Sequence, residues 1–357
     1  MMDGITAATA KSQAVATPAE ISATATQIKD WLVTAPVQTC SGPYTGGVAG
    51  WLEADGTATY AYGEITGYWL SWLSSIREDC PDVEARAAAA VGFLRSTWSG
   101  NAPPNTRLYL RPAPADWRNR AVFTFDMAMI VRGLAHACQL VGVERCAAVA
   151  RQIVPWLVRC IGADGTLLTH VQLGAGSPLP CRWSTQPGPF QAKAAAALLW
   201  APPPWLPAEL RDAARLTLDK WAGRAAEHSE LHPRFYALEG RILAGGAAVS
   251  DLAGTVLPSD GRLPEDVSDP AALVRADVLA QAIRILALVE GEAAAVAEAR
   301  TVILADALLN HVDPSGAVLF RRGIGPQNVW CAIFAAQALA WLAARSAGRR
   351  IEPGSLV

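Results

Sequence analysis

The sequence predicts an all-α protein: a closed (α/α)6 toroid in which six outer helices ring six inner ones, with short β-like turns in the loops. Three observations carry this. First, one kind of helix is apolar on all sides, as in FQAKAAAALLWA, FYALEGRILAGG and AIFAAQALAWLAA, and such a helix belongs in an interior. Second, these alternate with amphipathic helices such as ARAAAAVGFLRSTW and AELRDAARLTLDKWAGRAAEH, which suit an outer ring. Third, a turn recurs: WLEADGTA at 51–58, IGADGTLL at 161–168, PSDGRLP at 258–264 and VDPSGAVL at 312–319 each place Asp and Gly ahead of a loop that enters an inner-type helix. An open solenoid of hairpins is the competing arrangement; the count of six pairs and the long loops favour closure.

Taken in order, residues 1–18 are small and polar and read as a flexible segment. Ile21, Ile28, Trp31 and Leu32 fall at helical spacing and predict an outer helix over 19–35, ended by Pro36. A Gly-rich loop leads to the first inner helix, 64–77. Pro81 opens the next outer helix, 82–98, because proline suits a first helical position. The loop Ser99–Arg118 is long and rich in Pro and Asn. Inner helices are then expected at 120–141, 188–201, 233–246, 271–289 and 327–346. Outer ones are expected at 144–160, 207–227, 292–311 and in a short piece near 247–256. Residues 19–347 form one domain and 348–357 a C-terminal tail.

Composition narrows the function. Of 357 residues, 52% are hydrophobic and only 17% charged, enough apolar surface for a large core. The net charge of −2 and the absence of a basic stripe argue against a nucleic-acid partner. The most apolar stretch, Trp330–Ala344, is shorter than the roughly 20 residues of a membrane span. The N-terminus has neither a basic region nor an apolar one of the secretory kind, and seven cysteines at irregular spacing suit a reducing compartment, so a cytoplasmic location is expected. No C-x-x-C, H-E-x-x-H, P-loop or G-x-G-x-x-G pattern is present, so no metal or organic cofactor is expected. Oligomeric state is not readable.

In a toroid of this kind the N-terminal ends of the inner helices surround one mouth of the central cavity, and such ends attract anions. The first inner helix begins with TYAYGEITGYWLSWL and offers Tyr60, Tyr62, Glu64 and Tyr68. The second offers Asp126, the third Arg182, Trp183 and Gln186, and the fourth His232, Arg234, Tyr236 and Glu239. The fifth offers Arg275 and Asp277, and the sixth Asn328 and Trp330. Carboxylates for acid–base work, arginines for acidic groups and aromatic faces for sugar rings point to a carbohydrate cleft. Glu64, Asp126, Tyr62, His232 and Tyr236 are the catalytic candidates and the rest substrate-binding ones. Blander roles compete: a carboxylate in a first helical turn is favoured by the helix dipole alone, and arginines on packed helices partner buried acids.

Four segments also match a family pattern. Tyr62-Gly63-Glu64-Ile65-Thr66-Gly67-Tyr68 parallels Y-P-E-I-T-G-Y, with Gly63 in place of Pro. FDMAMIVRGL keeps Phe125, Asp126, Gly133 and Leu134 of F-D-T-G-Q-V-x-x-G-L. HPRFYALEGRI keeps His232, Tyr236 and Gly240 of a third motif, and NVWCAIFAAQAL resembles a terminal one. Over residues 50–345 the chain thus resembles the bacterial α/α-toroid group known as terpenoid-cyclase-like or prenyltransferase-like, which is associated with polysaccharide gene clusters. The resemblance implies a toroid and a saccharide-related role. Terpene cyclisation and zinc-dependent prenyl transfer are disfavoured, because the D-x-D-D runs and zinc ligands they need are absent.

The function expected is binding of an acidic or N-acetylated saccharide in the central cavity by a carbohydrate-active enzyme. Hydrolase, lyase and epimerase chemistries, all using carboxylate acid–base groups, stay open. The alternatives are a non-catalytic saccharide-binding scaffold of a polysaccharide system and a toroidal small-molecule epimerase or cyclase.

Overall fold

The computed structural model describes residues 16–245 and 262–357. The helices are α1 (Pro18–Thr34), α2 (Gly63–Ser75), α3 (Val83–Thr97), α4 (Thr124–Val141), α5 (Val143–Val158) and α6 (Gln191–Trp200). They continue with α7 (Ala208–Trp221), α8 (Leu231–Leu243), α9 (Ala276–Ala287), α10 (Ala294–Leu309) and α11 (Val329–Ser346). Among the described residues seven short strands decorate them: β1 (Trp51–Leu52), β2 (Tyr60–Tyr62), β3 (Arg107–Tyr109), β4 (Ala121–Phe123), β5 (His170–Gln172), β6 (Leu319–Arg321) and β7 (Ile324–Asn328).

The ring closes. Inner helices pack in the order α2, α4, α6, α8, α9, α11, and α11 returns to α2. The closure is sewn by backbone as well: β1, near the start, pairs with β7, near the end, with Trp51 opposite Asn328. The outer helix α1 lies on α11, across the same seam. Outer helices α3, α5, α7 and α10 cover the rest of the described ring; the outer piece expected near 247–256, the turn at 258–261 and the flexible segment up to residue 15 lie outside the described residues.

Burial sorts the two helix kinds as their composition requires. Every residue of α9 is buried, and Gln191–Leu198 of α6 are buried without a break. Of the amphipathic α3, only Val83, Ala87, Ala90, Val91, Phe93 and Leu94 are buried. Helix α11 is long and apolar enough to cross a membrane by length and composition, yet 67% of its apolar window is buried inside the ring. Small residues set the inner spacing: a Cβ on Gly133 would stand 2.3 Å from the carbonyl oxygen of Gly67, so α2 and α4 touch backbone to backbone.

The recurring turn is one structure. Gly56, Gly165 and Gly316 each adopt a positive φ, at 78°, 78° and 94°, which favours glycine. Each turn closes with a matching backbone pair, Glu53 N to Thr57 O, Gly162 N to Thr166 O and Asp313 N to Ala317 O.

One expectation is corrected. Residues 348–357 are not a tail outside the ring. Leu356 and Val357 are buried, and Leu356 packs with Ala196, Leu243, Ala287 and Trp341 at the C-terminal ends of α6, α8, α9 and α11. Arg132 donates to the backbone oxygens of Gly354 and Leu356 and Gln337 to that of Ser355, which makes burial of an irregular segment tolerable.

Candidate active site

A cavity of about 410 Å³ opens at the other mouth. All six inner helices contribute to it at their N-terminal ends: Glu64 from α2, Asp126 from α4, Phe190 ahead of α6, His232 and Tyr236 from α8, Arg275 ahead of α9 and Trp330 from α11. Loops supply Arg107, Trp117, Arg118, Arg182, Trp183 and Glu230.

On the α2–α4 side, Tyr62 ends β2 and Glu64 lies in the first turn of α2. The Tyr62 hydroxyl donates to Asp126 Oδ2 at 3.0 Å. Burial pushes the Glu64 carboxyl up to about 7, against the opposing pull of the Tyr62 and Tyr68 hydroxyls and the Lys193 charge. Burial and then the nearby Glu64 charge raise Asp126 well above the carboxylate range. Two carboxyls near one phenol are thus both reluctant to ionise, burial being the main cause for each.

On the α8 side, His232 is buried and burial lowers its pKa to about 4, so it is neutral at pH 7. Its Nδ1 lies 2.6 Å from Gln281 Oε1 and 3.3 Å from Asp277 Oδ2. Both partners accept only, so Nδ1 carries the hydrogen and Nε2 is left as an acceptor. Burial opposes ionisation of Asp277, but Arg275 at 2.6 and 3.0 Å and His232 hold it at about 2. Trp330 Nε1 faces the same carboxylate at 3.5 Å. Asp277 therefore orients Arg275 and His232 from beneath.

Ring order places these groups. Helices α2 and α8 stand three apart in a ring of six, so they face each other. On each, a residue one turn deeper forms the floor: Tyr68 follows Glu64 and Tyr236 follows His232. The Tyr68 hydroxyl donates to the Tyr236 hydroxyl at 3.2 Å. Above that bridge, Glu64 and His232 enter the cavity from opposite walls. Trp183 stands edge-on to His232, with ring centroids 5.6 Å apart, and completes an aromatic wall with Phe190 and Phe125.

The five catalytic candidates, Glu64, Asp126, Tyr62, His232 and Tyr236, thus line one cavity, with Arg182, Trp183, Arg275 and Trp330. Of the other substrate-binding candidates, Tyr68 reaches it only from beneath, through its bond to Tyr236, and the rest do not line it. Tyr60 is buried against Trp51, Tyr109 and the Arg107 guanidinium. Tyr68 lies in the floor, and Asp277 is buried behind Arg275. Glu239 is buried deeper, bonded to Lys193 at 2.7 Å and Arg284 at 2.5 Å. Asn328 caps α11 by accepting the Cys331 N–H at 3.0 Å. Gln186 is exposed on its loop, and Arg234 lies outside the cavity lining. These residues lie near a helix start, but strand backbone, depth along the helix or helix phase keeps them out of the lining, distinctions that need the tertiary structure.

Sequence reasoning missed Arg107, Trp117, Arg118 and Glu230. The first three come from the loop Ser99–Arg118, which folds back over the site because β3 pairs with β2, Arg107 opposite Tyr62. Asp116 anchors both arginines, 3.4 Å from Arg107 and 3.2 Å from Arg118. The density of Arg and aromatic residues in a long loop was the available signal.

No protein-family model and no curated protein matches the sequence. Solved structures do match in fold. A sugar epimerase from a ruminal bacterium is similar with a TM-score of 0.66 at 11% identity, over 94% of this chain and 100% of that one. Cellobiose 2-epimerase from Bacillus thermoamylovorans gives 0.64 at 11%, over 91% and 100%. Unsaturated glucuronyl hydrolase from Streptococcus agalactiae gives 0.61 at 10%, over 92% of each. At these identities the likeness is one of fold: an α/α toroid shared with sugar-processing enzymes. Neither a family model nor a sequence relative supports the resemblance to the terpenoid-cyclase-like group.

Proposed function

We propose that this chain is an enzyme that moves protons on a small acidic saccharide, as an epimerase or isomerase does. One observation carries the reading: a carboxyl titrating near 7 and a neutral imidazole enter the same cavity from opposite walls. Inversion at carbon needs a base on one face of the substrate and an acid on the other. Acid–base groups serve best with pKa values near the working pH.

In this mechanism His232 Nε2 takes the proton from a carbon next to a carbonyl. The C–H electron pair moves to the carbonyl oxygen as an enolate. Protonated Glu64 then returns a proton to the opposite face; His232 Nε2 afterwards releases its proton to solvent and the Glu64 carboxylate takes one up, which restores both groups. The hydrogen bond from Nδ1 to Gln281 fixes the tautomer that leaves Nε2 free. Arg107, Arg118, Arg182 and Arg275 around the cavity suit a substrate carboxylate and the charge that develops on oxygen. The cavity volume falls within the roughly 300–1,000 Å³ of small-molecule sites, so an oligosaccharide end or a disaccharide fits better than a polymer bound along its length.

A second reading rests on the Glu64–Tyr62–Asp126 cluster alone: two carboxylic groups are also the equipment of a glycoside hydrolase. Sugar epimerases and glucuronyl hydrolases both occur among the similar folds, so these are the reactions to separate. Incubation with aldoses, disaccharides and uronates in D2O does so. Deuterium entering the substrate carbon skeleton supports proton transfer. Release of a reducing sugar without deuterium in carbon points to hydrolysis. Saturable binding of these sugars without either change points to a non-catalytic saccharide-binding protein.

A further inference from the structure

The face opposite the cavity holds a second polar assembly that the proposed chemistry does not use. Lys193 of α6 and Arg284 of α9 are fully buried. Both bond Glu239 of α8, and both also donate to the main-chain oxygen of Val357, at 3.0 and 3.2 Å. Gln337 of α11 accepts the Val357 N–H at 3.0 Å and donates to Ser355 O at 2.7 Å. Arg132 of α4 donates to Gly354 O at 2.9 Å and Leu356 O at 2.8 Å. Four inner helices therefore grip Gly354–Val357 with side chains in the middle of the ring.

Lys193 joins this grip to the cavity. Its Nζ lies 5.1 Å from the ring centre of Tyr68 and 4.6 Å from that of Tyr236, the two residues of the cavity floor. A cation so placed attracts both ring faces and holds the hydroxyl bridge between them. We infer that Pro353–Val357 is a working part of the site, and that Lys193 is a positioning residue: the seated segment fixes Lys193 under the Tyr68–Tyr236 bridge, and Glu64 above the bridge depends on it. The inference rests on the reading of Glu64 as a working acid. The Lys193 charge already acts on Glu64, lowering its pKa against the effect of burial. The groups facing Lys193 are Glu239 and Tyr236 on α8, Arg284 on α9, Arg132 on α4 and Tyr68 on α2. With one carboxylate against three cations, a further negative partial charge is required, and the Val357 oxygen supplies it.

The test reads Glu64 directly, by carboxyl 13C NMR titration of the full chain, and so is independent of turnover. Lys193→Met should move the Glu64 midpoint upward by about one pH unit, the effect of losing a nearby cation. Leu356→Asp, which places a charge at a buried position, and Gln337→Leu, which removes the grip on Ser355 and Val357 without touching Lys193, should move it in the same direction. Adding Lys193→Met to Leu356→Asp should then change it by less than half as much as in the wild-type background. If the midpoint is unmoved or lowered in both Leu356→Asp and Gln337→Leu, the segment is only a structural plug and the inference fails. If these shifts appear while no sugar is turned over, the coupling of the segment to Glu64 stands and the proposed function fails.

Discussion

Tyr68 and Tyr236 meet hydroxyl to hydroxyl at 3.2 Å across the ring, joining α2 to α8. That bond divides the interior in two. Above it stand Glu64 and His232, each one helical turn nearer the helix starts; below it lies the buried set of Lys193, Glu239 and Arg284. One interior thus holds a solvent-open site above the bridge and a fully buried ion network below it, with Lys193 next to both.

Glu64→Gln is expected to lower turnover by about 10²–10⁴-fold, the usual worth of a general acid, while sugar affinity by calorimetry changes far less. Asp126→Asn added to it should cost little more if the two carboxyls act as one acid, Glu64 being among the causes that raise Asp126. Additive losses would show that they act separately.

Stability should carry the same titration. Glu64 moves from an ordinary 4.5 to about 7 on folding. Between those values the folded state holds more protons than the unfolded one, so this contribution is full below pH 4.5 and is lost as pH rises through 7. His232, lowered from 6.5 to about 4, acts in the opposite sense: its contribution is lost as pH falls from 6.5 to 4. The melting temperature of Glu64→Gln relative to wild type should therefore climb steadily from pH 5 to pH 8. A constant gap would mean that Glu64 titrates normally.

Gly133→Ala should destabilise the ring by about 1–3 kcal/mol, in the range of overpacked cores, because the added methyl meets the Gly67 backbone rather than a movable side chain. Urea denaturation measures this. A variant as stable as wild type would show that α2 and α4 separate freely.

Arg182→Ala removes an exposed guanidinium from the cavity lining. The KM for a uronate should rise about tenfold, as expected for one charge-assisted hydrogen bond, with little change for the matching neutral sugar. Equal effects on both would exclude recognition of a carboxylate by this residue.

Some of this was legible in the chain and some was not, and the reasons are physical. Helix kind follows from local pattern: α9 is mostly apolar, with one polar stripe of Asp277, Gln281 and Arg284, and is buried along its whole length. Glu64 stood out because a carboxylate at the start of an apolar helix has no packing purpose. Arg234 shares that neighbourhood but not the cavity, since a shift of one residue rotates a helical side chain by about 100°, while Tyr60 on β2, Gln186 on a loop and Asn328 at the end of β7 are placed by extended backbone that no helical spacing describes. Arg107 and Arg118 reach the site only because β3 pairs with β2.

By itself, then, the sequence determined the helix succession, the Asp-Gly turns and the end of the ring at which polar groups collect, all properties of neighbours along the chain. Tertiary structure alone decided that α11 packs on α2, that Glu64 and His232 line one cavity from helices on opposite sides of the ring, and that Gly354–Val357 return to the centre of the ring. Those are contacts between residues far apart in sequence, whose free energy comes from burial and hydrogen bonding across the ring and leaves no local periodicity to read.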